Sequence, residues 1–179
     1  MKITSHFEGR YLSLREVEDW EFATRPNATS VVGILAMTAK REVVLIEQYR
    51  RPTQSRVLEI CAGLVGDEPE YAGEPLAETA RRELLEETGY VSEEMILLLS
   101  SPTSAGMTDE MTHLFFAGNA TKSGPGGGVD GEDIVTHLVP FDELADFLEQ
   151  ALAKGLLVDF KIHAALAALN FLDSSEISV

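Results

Sequence analysis

The sequence predicts an α/β protein, a mixed β-sheet sandwiched between α-helices and preceded by a short β-ribbon. Three observations carry this. Two apolar, β-branched runs, VVGILAM at 31–37 and VVLIEQY at 43–49, read as strands joined by a turn at 38–42. A stretch of good helix formers at 75–88 lies between Pro75, where a first turn begins, and Gly89, where a helix stops. Two amphipathic segments, 141–154 and 159–172, close the chain as helices, each with an acidic residue near its start and the first followed by Gly155.

The remaining elements follow in order. Residues 1–24 alternate weakly (Ile3, His6, Phe7, then Tyr11, Leu12, Leu14, Val17, then Trp20, Phe22) and predict two or three short strands. Such a ribbon is too small to stand alone and needs another surface, in this chain or in a partner. Residues 57–62 form a short strand leading to Gly63, and MILLLS at 95–100 a buried strand. Residues 101–110, with Pro102 and Gly106, make a loop, and HLFFAG at 113–118 a strand. KSGPGGGVDG at 122–131 is a flexible loop; without G-K-[ST] it is no P-loop. Residues 134–139 give the last strand, and 173–179 a frayed tail. No internal repeat is present. The division that results is an N-terminal β extension at 1–24 and one domain at 25–179.

Composition narrows the function. A chain of 179 residues with 45% hydrophobic content supports one domain with a real core. Thirty acidic against 14 basic residues, a net charge of −16, and no basic block argue against a nucleic-acid partner. Small phosphate substrates stay open, because a cation can bridge acid to acid. Cys61 is the one cysteine, so no internal disulfide forms; at a strand end it reads as a small buried residue. No apolar run reaches the length of a membrane span, and the N-terminus is no signal peptide, so a cytoplasmic protein is expected. The four histidines share no short spacing that would suit metal ligation.

The helix at 75–88 carries an unfavourable charge pattern. Glu83, Glu86 and Glu87 fall within about 100° of arc. They repel one another, and they crowd the end of the helix where the macrodipole disfavours negative charge. Ala77, Ala80 and Leu84 lie on a neighbouring arc, so one face can pack while the next presents acid. Three converging oxygen donors suit a hard divalent ion, Mg²⁺ or Mn²⁺. The plain alternative is a solvated acidic face neutralised by Arg81 and Arg82.

The spacing favours the cation. Glu74, seven residues, then RELLEETGY at 82–90 resembles the signature of the Nudix hydrolase superfamily, G-x5-E-x7-R-E-U-x-E-E-x-G-U, where U is bulky and apolar. Tyr90, at the last apolar position, departs mildly. Upstream, EICAGL at 59–64 resembles the family's E-x-P-A-G-x, with Cys61 in place of proline. Gly63 then stands for the first signature glycine, and five extra residues fall between Val65 and Gly73, in an acidic surface loop with Gly66 and Pro69.

The resemblance implies the Nudix fold, Mg²⁺ or Mn²⁺ dependence, and hydrolysis of a diphosphate. It implies Glu83, Glu86 and Glu87 as metal ligands with the carbonyl of Ala62, and structural roles for Glu74 and Arg82. The flanks resemble the ADP-ribose pyrophosphatase branch, which includes nucleoside diphosphate sugar hydrolases. WEF at 20–22 with Arg25, QYRRP at 48–52 and SAGMTDE at 104–110 are similar to its entry, its Q-[FY]-R motif and its S-P-G-x-x-x-E loop, with Ala105 replacing proline. That loop makes Glu110 the candidate catalytic base beside Glu86 and Glu87, with Asp109 as the fallback. Arg50 and Arg51 are candidates to clamp a phosphate or terminal ribose, a guanidinium fork matching phosphate oxygens; for Arg50 an ion pair with Glu59 or Glu47 is the competing account. Glu59 joins the substrate-binding set. Trp20 and Phe22 offer rings for a nucleobase, against plain packing of a strand. In this branch the stacking ring often comes from the partner's N-terminal strands, so a homodimer is expected. Glu132 and Asp133, after the glycine loop, are a further acidic pair, read as a plain loop end ahead of an extra acid for the site. Other Nudix substrates (coenzyme A, a dinucleoside polyphosphate, an oxidised nucleoside triphosphate) and a non-catalytic nucleotide sensor are the alternatives.

Overall fold

The computed structural model describes residues 2–128 and 133–172. The tail expected at 173–179, residues 129–131 of the glycine loop, and Glu132 lie outside the described residues.

The chain begins with a three-stranded antiparallel sheet, β1 (Ile3–Glu8), β2 (Ser13–Val17) and β3 (Trp20–Thr24). It touches the rest through its last strand, where Ala23 bridges Thr108 and its N–H donates to Met107 O at 2.8 Å. Ile3, Phe7, Tyr11, Leu12 and Trp20 remain exposed on this ribbon.

The main sheet is built from β4 (Ser30–Met37), β5 (Glu42–Arg50), β6 (Ser55–Glu59) and β7 (Cys61–Val65), followed by the signature helix α1 (Leu76–Glu83). After it come β8 (Tyr90–Val91), β9 (Ile96–Pro102), β10 (Met111–Ala117), β11 (Thr121–Lys122) and β12 (Ile134–Pro140). The chain then forms α2 (Leu144–Ala153), β13 (Leu157–Val158) and α3 (Phe160–Phe171). The strand order is β13-β6-β5-β4-β10-β9, with β12 added to β5 and β7 added to β4. β10 runs parallel to β4 and β13 parallel to β6; the other pairs are antiparallel.

Strands β4 and β5 pair only at Ala36–Met37 with Val43–Val44. Beyond that point they diverge: β4 takes β7 as its partner and β5 takes β6. The sheet therefore splays, and the signature helix sits beside the split. The two faces alternate along each strand. Leu35, Met37, Val43 and Leu45 pack with Leu144, Leu148, Ile162 and Ala165 under α2 and α3. Val32, Ile34, Ala36 and Val44 pack with Ala80 and Leu84 under α1. Burial on both faces explains the unbroken apolar runs in β4 and β5.

Four expectations need correction. The single strand at 57–62 is two strands, because the chain crosses from β5 to β4 at the fully buried Ile60. The helix is α-helical only to Glu83; Leu84–Thr88 widens into a π-turn before Gly89 closes it in the left-handed conformation at φ 71°. β9 runs through Pro102, into the expected loop, since Met111 pairs with it. β12 is not the last strand, since Leu157–Val158 adds to the edge at β6.

Candidate active site

The splay opens a cleft of about 1000 Å³. The signature residues Arg82, Glu83, Glu86 and Glu87 line one side, with Ala62, Gly63, Asp67, Glu68 and Tyr71. Arg25 and Glu110 also line it, as do Arg50 and Glu59 and the β13–α3 junction at Asp159, Phe160 and Lys161.

Arg82 organises the acids. Its Nη1 donates to Glu83 Oε1 at 2.9 Å and to Glu86 Oε2 at 3.1 Å. Its Nε and Nη2 lie 3.4 and 3.5 Å from Glu74 Oε2, which also accepts from Thr79 Oγ1 at 2.9 Å. Its guanidinium stacks 4.1 Å from the ring centroid of Tyr71, a residue of the extra segment. The extra loop therefore lids the arginine, a contact with no local signal in the sequence.

Glu83 packs so closely against β7 that a Cβ on Gly63 would fall 2.0 Å from Glu83 Cδ. The signature glycine is thus required by space. Burial pushes the Glu83 carboxyl up to about 7; Arg82 pulls it down and Glu86 pushes it further up. Arg82 itself is held above its ordinary value: burial opposes this, but Glu83, Glu86 and Glu74 outweigh it. Glu87 is only 5% exposed and accepts from the backbone N–H of Ala62 at 3.0 Å. The neighbouring Cys61 is a free, buried thiol, raised well above its ordinary range by burial and by Glu87.

Opposite the helix, Arg50 grips Glu59 with two of its three nitrogens, Nε to Oε1 at 2.6 Å and Nη2 to Oε2 at 2.8 Å. Glu59 is 2% exposed, while the arginine still faces the cleft. The bond to Glu59 holds Arg50 above its ordinary pKa. Arg25 Nε donates to Glu110 Oε2 at 2.6 Å.

The fold brings Ala62, Glu83, Glu86, Glu87, Arg50, Glu59 and Glu110 to one cleft. It leaves others outside. Arg51 and Asp109 are exposed and do not line it. Trp20 is 61% exposed and donates from Nε1 to Gly106 O at 3.2 Å, away from the acids. Asp133 pairs with Arg56 Nη1 at 2.8 Å. Sequence reasoning missed the Asp159–Lys161 contribution. The acidic start of the segment 159–172 is its signal: the Asp159 side chain accepts from Lys161 N–H at 2.8 Å, capping α3 where β13 joins the sheet.

The donor set suits a hard divalent cation: oxygen ligands only, one of them a carboxyl whose charge burial disfavours. Among the described residues, no three acids, histidines or cysteines already stand as a ligand shell. The reason is visible: Arg82 Nη1 lies between Glu83 and Glu86.

The NUDIX domain pattern matches residues 27–160. The chain is 32% identical over 163 residues to the methanol dehydrogenase activator of Bacillus methanolicus, covering 84% of this chain and 82% of that protein. It is 33% identical over 172 residues to a GDP-mannose pyrophosphatase of Escherichia coli, covering 91% and 79%. It is 37% identical over 99 residues to the ADP-ribose pyrophosphatase of Bacillus subtilis, covering 54% and 48%. The crystal structure of an ADP compounds hydrolase matches with a TM-score of 0.73 at 18% identity, covering 95% of this chain and 90% of that one, a likeness of fold.

Proposed function

The chain belongs to the NUDIX domain family, as a Nudix hydrolase related to ADP-ribose and GDP-mannose pyrophosphatases, and on that premise we propose its substrate and its working residues. It hydrolyses the diphosphate bond of a nucleoside diphosphate linked to a sugar, giving a nucleoside monophosphate and a sugar phosphate. One observation carries this reading: three carboxylates of the signature helix share a cleft with the arginine Arg50 and with Glu110.

Glu83, Glu86 and Glu87, with the Ala62 carbonyl, would hold Mg²⁺ or Mn²⁺. Such an ion, when bound, neutralises phosphate charge and acidifies a water. Arg50, fixed by Glu59, presents its guanidinium to a phosphate or ribose. Glu110 takes the proton of the attacking water. Its ion pair with Arg25 fixes the orientation of the carboxyl group. The N-terminal ribbon at 1–24 meets a second copy, and its exposed Trp20 reaches that copy's substrate.

The likeness to a methanol dehydrogenase activator favours one second reading, a chain whose nucleotide chemistry acts on an oxidoreductase. Incubation with Mg²⁺ and a panel of ADP-ribose, GDP-mannose, other nucleotide sugars, coenzyme A and dinucleoside polyphosphates, followed by product identification, tests the proposal. Nucleoside monophosphate and sugar phosphate from a nucleotide sugar support it; cleavage confined to the other compounds, or none, overturns it.

A further inference from the structure

At the C-terminal end of the signature helix, Glu86, Glu87, Thr88 and Gly89 present the carbonyls that a helix leaves without partners. One loop satisfies all four. Gly128 N–H donates to Glu86 O at 3.0 Å and Gly127 N–H to Glu87 O at 2.8 Å. Ser123 and Gly124 N–H donate to Gly89 O at 2.8 and 2.9 Å. The carbonyl of Thr88 receives a side chain instead: Lys122 Nζ donates to it at 2.7 Å and to Pro125 O at 3.2 Å.

The contact is close on both sides. Gly89 passes so near Gly124 that a Cβ would lie 2.2 Å from its carbonyl oxygen, and a Cβ on Gly126 would lie 2.4 Å from the Thr88 carbonyl carbon. Lys122 Nζ also stands 5.0 Å from the ring centroid of Tyr90, the residue that departs from the signature's apolar end. β11 keeps Lys122 there by pairing it with Tyr90. A cation at this helix end opposes the negative pole that the acids aggravate.

We infer that Lys122 is a positioning residue: with the loop 123–128 it clamps the C-terminal end of the signature π-turn, and so fixes the backbone that carries Glu86 and Glu87. The inference rests on the reading of those two glutamates as cation ligands. Groups that orient metal ligands, without touching the ion, control affinity strongly. Among the described residues Lys122 is the one side chain that donates to these carbonyls, so substitution removes its share without altering any backbone donor.

The test uses the full chain and Mn²⁺ as probe, followed by the ion's paramagnetic resonance signal, alongside amide exchange in cation-free protein. In Lys122→Met, the Gly127 and Gly128 amides exchange about tenfold faster while the core amides of Ile34 and Leu45 keep their wild-type rates. Mn²⁺ binds roughly tenfold more weakly. Lys122→Arg, which still donates, recovers most of that affinity. Gly126→Ala, which pushes the loop off Thr88 with Lys122 intact, reproduces the loss. Wild-type exchange at Gly127 and Gly128 and wild-type Mn²⁺ affinity in both Lys122→Met and Gly126→Ala overturn the clamp, as does an Lys122→Arg protein no better than Lys122→Met. Wild-type protein that binds no Mn²⁺ overturns the metal reading instead, and the exchange rates then judge the clamp alone.

Discussion

Arg25 and Glu110 form an ion pair, Nε to Oε2 at 2.6 Å, that joins the segment entering β4 to the loop entering β10. The pair holds the candidate base against the cleft wall and leaves Asp109 outside. As base, Glu110 should contribute at least about 100-fold to turnover. Glu110→Gln, nearly isosteric, is expected to lose that much in kcat while binding Mn²⁺ as the wild type does. Steady-state kinetics with a parallel Mn²⁺ titration decide it. A change under about threefold removes Glu110 from the role.

Glu87 is the most enclosed of the three helix acids. Glu87→Gln keeps an oxygen able to accept from Ala62 N–H, so the fold should survive. Loss of its charge should lower turnover by about 1000-fold and weaken Mn²⁺ binding in parallel. Purified Glu87→Gln with unaltered turnover rejects the metal assignment.

The acids of the site were legible because their spacing is local: Glu83, Glu86 and Glu87 lie within five consecutive positions, and helical period alone gathers them. The strands were legible for the same reason, since both faces of β4 and β5 are covered and each carries an unbroken apolar run, 31–37 and 43–46. What escaped was long-range. The π-turn arises where the loop 123–128 grips the helix end, and that loop lies more than thirty residues on. Tyr71 meets Arg82 only because the extra loop folds back, and Trp20 leaves the cleft because its strand joins a separate sheet. The break at Ile60 follows from the sheet's splay, a property of two strand partners and not of the sequence between them.

Glu83 gives the cation-free protein a pH signature. Burial raises its carboxyl to about 7 in the folded chain against 4.5 when unfolded. Between those values the folded state binds the extra proton. The stabilisation is complete below pH 4.5 and is lost as the pH rises through 7. Its full size is about 3 kcal/mol. Denaturant midpoints at pH 5.5 and 8 in chelator should show stability falling with pH, and Glu83→Gln should flatten that slope. An equal slope in the variant sinks the assignment.

The exposed apolar side chains of the N-terminal ribbon predict association. Light scattering at micromolar concentration should give twice the 19.6 kDa mass of one chain, and removal of residues 1–24 should give a smaller particle. A single-chain mass for the intact protein rejects the homodimer and, with it, the reach of Trp20 into a partner's cleft.

Arg82 supplies the last and sharpest expectation, because its Nη1 holds the position between Glu83 and Glu86 that a divalent cation would contest. In the cation-free chain the guanidinium is the main positive charge facing these acids, and Tyr71 covers it. Arg82→Met leaves the carboxylates unbalanced in a site already reluctant to hold charge, at a cost of about 3 kcal/mol by comparison with other half-removed buried pairs. A cation that binds only the folded chain restores stability in proportion to its affinity and concentration. Millimolar Mg²⁺ should therefore raise the melting temperature of Arg82→Met by more than it raises that of the wild type, since in the variant the ion faces no competitor. Calorimetry with and without Mg²⁺ measures both increments. An increment in Arg82→Met equal to or below that of the wild type would show that the arginine and the cation do not contest the same carboxylates.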